Sequence, residues 1–163
     1  MQMHLIPEHI DGEEPCVRCI LHPMMYSESK QKIRREALLP PPNRNDVSLL
    51  RLNYTTINFC AEHGKSIAKE NVHFVGLVSI TRNDVLSVNR EQKDFVSADI
   101  VYGPMHQDKY VLDRPVYVDD PSVDLPMHAD LKYNKALEAG EVRTLMRLYA
   151  DKLMKKIRII SMP

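Results

Sequence analysis

The sequence predicts an α+β fold: one mainly antiparallel sheet, a C-terminal amphipathic helix and a structural pair of zinc knuckles. Three observations point there. Short runs rich in β-branched and aromatic residues recur along the chain with turn residues between them. Val142, Leu145, Met146, Tyr149, Leu153 and Ile157 form an apolar stripe at three- and four-residue spacing near the end, flanked by Arg143, Arg147, Lys152, Lys155, Lys156 and Arg158. All three cysteines fall into a C-x2-C pair and a C-x2-H pair.

A chain of 163 residues with 44% apolar content can close one core, so residues 1–163 are read as a single domain rather than a disordered or fibrous segment. Lysine plus arginine, 22, offsets aspartate plus glutamate, 22, which excludes a uniformly basic nucleic-acid binder. The cancellation is uneven: residues 140–163 carry six basic residues against two acidic, and residues 99–138 carry eight acidic against four basic. No apolar run reaches the ~18 residues of a membrane span. The opening MQMHLIPEHIDGEE lacks a basic start and an apolar middle, so the expectation is a cytoplasmic protein with no membrane partner.

In chain order, the pattern predicts a strand over Cys16 to Leu21 and a charged helical turn over Ser27 to Leu38. Pro40, Pro41 and Pro42 open a stiff loop over residues 40–46. A second strand follows from Val47 to Asn53. A helix from Thr56 to Lys69 is read from Ile57, Cys60, Ile67 and Ala68, with Gly64 against it. The aliphatic density of Val72 to Thr81 marks the most buried strand. Val85 to Val88, Ser97 to Tyr102 and Tyr110 to Val118 read as further strands, and the acidic loop Asp119 to Asp124 precedes the terminal helix.

The cysteines carry the sharpest chemistry. Two ligands three residues apart on a tight turn can aim at one ion, and two such pairs would make a tetrahedral site from Cys16, Cys19, Cys60 and His63. Three thiolates and an imidazole favour zinc, and four protein ligands leave it no water, so the ion would brace the fold. His22 stands close enough in sequence to replace His63, and a redox pair or inert buried cysteines are the competing readings. The candidate active-site cluster is His22 beside Pro23, with Arg18, Arg51 and Asp46 converging on one cleft.

Two segments resemble HNH nucleases: His4-Leu5-Ile6-Pro7 with Asp11-Gly12, and Asn53 ahead of Phe59-Cys60 and His63-Gly64-Lys65, although Cys16 and Cys19 follow the histidine instead of preceding it. That resemblance implies metal-dependent cleavage of nucleic acid. Arg35 to Arg51, including Ala37 and Asp46-Val47-Ser48, together with Pro126-Met127-His128-Ala129, is similar to a pattern in small bacterial proteins of no assigned role. Arg18 and Ser48 loosely resemble the strand arginine and serine of NAD-using ADP-ribosyl transferases. The expectation drawn from all this is a zinc-stabilised binding or accessory subunit of a bacterial cytoplasmic complex. Its partner would be a protein, or nucleic acid held by Lys30, Lys32, Arg34 and Arg35 or by the terminal helix. The alternative is an enzyme, either a nuclease of HNH type or an NAD-using transferase.

Overall fold

The computed structural model describes residues 3–92, 95–106, 109–110, 115–117 and 124–162. Its strands and helices run β1 (Met3–Leu5), β2 (Cys16–His22), β3 (Tyr26–Ser27), β4 (Lys32–Ile33), β5 (Asp46–Arg51), α1 (Ile57–Ile67), β6 (His73–Ile80) and α2 (Arg82–Glu91). They continue with β7 (Ala98–Tyr102), β8 (Met105–His106), β9 (Lys109–Tyr110), β10 (Pro115–Tyr117), β11 (Asp124–Leu125), β12 (His128–Tyr133), α3 (Glu141–Met154) and β13 (Arg158–Ser161). Six of the strands form the central sheet in the order β13-β6-β2-β5-β12-β7, every neighbouring pair antiparallel. The mixed α+β architecture with an antiparallel sheet is thus as the sequence predicts; its zinc knuckles are not, as the site geometry below explains.

Side chains alternate across a strand, so the sheet presents two faces. On one face Cys16, Leu49, Ile80, Ile100, Ala129 and Leu131 pack under Val85 and Val88 of α2 and Met146, Tyr149, Ala150 and Leu153 of α3. On the other, Val17, Cys19, Leu50 and Leu77 meet Phe59 and Cys60 of α1. Gly64 lets α1 come close: a Cβ there would stand 2.4 Å from the Phe74 ring and 3.3 Å from Cys19 Sγ. Thr56 starts α1 by accepting the Phe59 N–H on its hydroxyl at 3.0 Å.

The terminal stripe forms α3 as far as Leu153, and the helix begins after Gly140, a residue at φ +76° where a side chain would be strained. Tyr149 donates its hydroxyl to the Val85 carbonyl and to Asn89 Oδ1, joining α3 to α2. Three expectations differ. Val85 to Val88 belongs to a helix, because Thr81 and Asp84 close a reciprocal capping box before it. Ser27 to Leu38 is the β3–β4 hairpin followed by a 3-10 turn at Arg35–Ala37; Gln31 at φ 50° turns the chain, and Tyr26 and Ala37 bury themselves against Ile20 and Val78. The terminal helix, expected to carry Ile157, ends at Met154, and beyond it the chain adds β13 to the sheet edge, with Ile159 exposed. Of the expected strand Tyr110 to Val118, residues 111–114 and 118 lie outside the described residues, as do residues 119–123 of the acidic loop.

Candidate functional site

The expected metal ligands do not meet. Cys16 and Cys19 stand three apart on the extended strand β2, an odd offset that sends their side chains to opposite faces. Cys16 lies in the core under α2 and α3, its Sγ donating to the Glu14 carbonyl at 3.8 Å. Cys19 faces α1, its Sγ donating to the Cys60 carbonyl at 3.4 Å. Burial pushes the Cys16 thiol up to about 12, with the Glu14 carboxylate adding to the rise and Arg51 opposing it. Burial likewise raises Cys19 to about 11 and Cys60 to about 12. All three therefore stay protonated at neutral pH in the metal-free fold.

His63 lies one helical turn after Cys60, half-buried, its pKa lowered by burial and then by His128. Among the described residues no group of three or more His, Cys, Asp or Glu is placed to hold a metal ion. This corrects the expected zinc cofactor, the zinc-stabilised subunit and the metal-dependent nuclease. For the NAD-using transferase alternative, Arg18 donates through Nη1 to the Ser48 backbone carbonyl at 3.2 Å, and no catalytic cluster is identified among the described residues.

The four residues proposed for one cleft are distributed over the molecule. His22, at the end of β2, lines a separate open cavity of about 390 Å³ with Tyr26, Glu28 and His73, its ring stacked on that of His73 at 6.3 Å. Asp46 begins β5 and pairs with Arg44 at 2.9 Å. Arg51 is fully buried: Nε donates to Glu14 Oε1 at 2.7 Å, Nη2 to Glu14 Oε2 and the His9 carbonyl at 3.0 Å, and Nη1 to the Pro7 carbonyl at 2.6 Å. The rings of Tyr54 and Tyr102 cover its guanidinium at 4.9 and 4.8 Å. It fastens residues 6–14 to the sheet.

Arg18 is placed differently. The β2–β5 ladder pairs only Cys16 with Arg51 and Val17 with Leu50, after which the strands part. The Arg18 guanidinium occupies the opening, Nε donating to the Ala37 carbonyl at 2.7 Å and Nη1 to the Ser48 carbonyl at 3.2 Å. Burial brings its pKa down to about 10, which leaves it cationic at neutral pH. Beside it a cavity of about 310 Å³ lies between β2, the 3-10 turn, Pro40–Pro42 and α3. Met24, Met25, Leu39, Leu137 and the three prolines make its apolar wall, and Arg143 and Arg147 reach it from adjacent turns of α3. Arg143 Nε donates to the Glu138 carbonyl at 3.1 Å. Among the described residues none of these three arginines is ion-paired to a carboxylate; Glu36 is the one acidic residue lining the cavity.

The sequence places Arg143 and Arg147 on the basic side of the terminal helix, offered to nucleic acid; their position beside Arg18 is set by packing. The other expected basic contacts are partly neutralised within the fold: Arg35 pairs with Asp151 at 3.0 Å, Lys156 with Glu91 at 3.3 Å and Arg158 with Asp84 at 2.8 Å. No helix among the described residues is long and apolar enough to cross a membrane. No protein-family model, curated protein or solved structure matches this chain.

Proposed function

We propose that the protein is a binding domain for a small organic anion with an apolar body, taken into the cavity beside Arg18. The observation that carries this reading is the charge of Arg18, half-buried and met among the described residues by two backbone carbonyls but no carboxylate, with the cavity lying beside it. A volume of about 310 Å³ suits a compact ligand. Arg143 and Arg147 offer planar forks to a carboxylate or phosphate at the mouth, while the methionines and prolines cover its apolar part. Methionine adapts its shape to the ligand, and proline adds apolar surface without conformational cost.

The test is calorimetric titration of the purified protein with aromatic and branched aliphatic carboxylates and with their phosphate-ester counterparts. Saturable binding by at least one member is expected, weakened about tenfold or more by Arg147→Ala, since a charge-assisted hydrogen bond contributes ~1.5–3 kcal/mol. Inorganic phosphate, lacking the apolar body, should bind more weakly. Absence of saturable binding across the panel, or affinity unchanged in Arg143→Ala and Arg147→Ala, would overturn the reading.

A further inference from the structure

The cavity beside Arg18 also presents one negative group. Glu36, on the 3-10 turn at Arg35–Ala37, lines it half-buried, and among the described residues its carboxylate has neither an ion pair nor a hydrogen bond. Its two neighbours are both committed: Arg35 pairs with Asp151 of α3 at 3.0 Å, and the Ala37 carbonyl accepts Arg18 Nε at 2.7 Å. These contacts fix the turn between β2 and α3. They place Glu36 one residue from the backbone group that holds the Arg18 guanidinium, yet the two charges do not pair. Arg143 and Arg147 reach the same cavity from the first two turns of α3. A site lined by both signs of charge favours a ligand that carries both, because a plain anion on the arginines also meets the repulsion of the Glu36 carboxylate.

We propose that the ligand is a free α-amino acid with an apolar side chain, its carboxylate on the arginines and its ammonium on Glu36; this rests on the organic-anion reading of the cavity and narrows it. An α-amino acid carries both charges on one carbon. A site for it needs an acceptor for the ammonium and a cationic fork for the carboxylate close together, and the adjoining positions 36 and 37 supply that arrangement through Glu36 and the Arg18 held by Ala37. The apolar wall takes the side chain: Met25, Leu39 and Leu137 are buried, and Met24 is exposed. A volume of about 310 Å³ holds a residue of the size of leucine or phenylalanine. Glu36 is the one acidic residue lining the cavity, so no second carboxylate is on offer for a basic side chain.

The test titrates the purified protein, by calorimetry, with leucine and phenylalanine and with isocaproate and hydrocinnamate, the same carbon skeletons without the ammonium. A further probe is ω-aminohexanoate, the isomer of leucine whose ammonium sits at the opposite end of the chain. Leucine or phenylalanine should bind about tenfold or more tighter than its counterpart, the gain of one charge-assisted hydrogen bond, and ω-aminohexanoate should bind more weakly than leucine. Glu36→Gln should remove the preference: affinity for the amino acid falls about tenfold while affinity for the carboxylate stays level or rises. Because Glu36 has no partner to lose, the urea midpoint of this variant should match that of the parent. Glu28→Gln, which alters a carboxylate in the other cavity, should leave the preference intact. Equal or tighter binding of the carboxylates, or a preference that survives Glu36→Gln, would overturn the proposal while leaving the organic-anion reading in place; no binding by either set would overturn both.

Discussion

Arg51 and Arg18 stand on neighbouring strands of the same sheet and both lose much of their contact with water, yet the fold treats them in opposite ways. Arg51 meets a bidentate carboxylate, two carbonyls and two aromatic faces, so its charge is consumed in holding residues 6–14 in place. Arg18 meets two carbonyls and, among the described residues, no carboxylate, and two cavities open onto it. A buried cation by itself says little about function; whether its counter-charge lies inside the protein separates a brace from a binding group.

The largest effect should come from breaking the satisfied member. Glu14→Gln strands the Arg51 charge in the core and should cost about 3–5 kcal/mol by urea unfolding. Adding Arg51→Met should recover part of that loss, because the double variant no longer buries an unmatched ion.

Acid should act next. His63 and His128 have pKa values below their unfolded ones, so the unfolded chain binds more protons once the pH falls below the unfolded imidazole value. Stability should therefore be full above that value, drop as the pH is lowered towards the folded pKa values, and level off below them. Urea midpoints measured across this window should show the drop, and His63→Asn should reduce it.

Arg18→Met should cost less than Glu14→Gln, about 1–2 kcal/mol for two lost hydrogen bonds to carbonyls offset by relief of a desolvated charge. It should nevertheless remove organic-anion binding in the cavity beside it. A small stability loss joined to lost binding would sharpen the contrast with Arg51; a loss as large as that of Glu14→Gln would erase it.

The smallest effect is expected at the thiols. With pKa values of about 11–12 set by burial, all three cysteines should react with iodoacetamide far more slowly in the native protein than in urea, and a chelator should leave the melting temperature unchanged. Rapid native alkylation or a chelator-induced drop would contradict the placement of the three sulfurs.

The body of the terminal helix was legible because periodicity is local: Val142, Leu145, Met146, Tyr149 and Leu153 at helical spacing demand one buried face whatever lies beneath it, whereas Ile157 falls past the helix end. The strands from Cys16, Val47, Val72 and Ser97 were legible for the same reason, within a residue or two at their ends. The α2 helix had a readable signal in Thr81 and Asp84, which form the capping box that Val85 and Val88 alone concealed. The exposed edge strand β13 had almost none. In the candidate site, Arg18 stood out from the sequence, but its companions Arg143, Arg147, Met24 and Met25 lie far from it along the chain.

The cysteine pair holds both halves of the lesson. Reading Cys16 to Leu21 as a strand already implied that residues three apart point to opposite faces, so the strand and the zinc knuckle were incompatible within the sequence itself. The main strands, the terminal helix and hence the α+β class are written in the local sequence, since they follow from backbone geometry over a few residues. Only the tertiary structure decided that Glu14 lies against Arg51 while Arg18 is left beside a cavity. Charge pairing depends on which distant segments are brought within a few ångströms, and no local pattern encodes that.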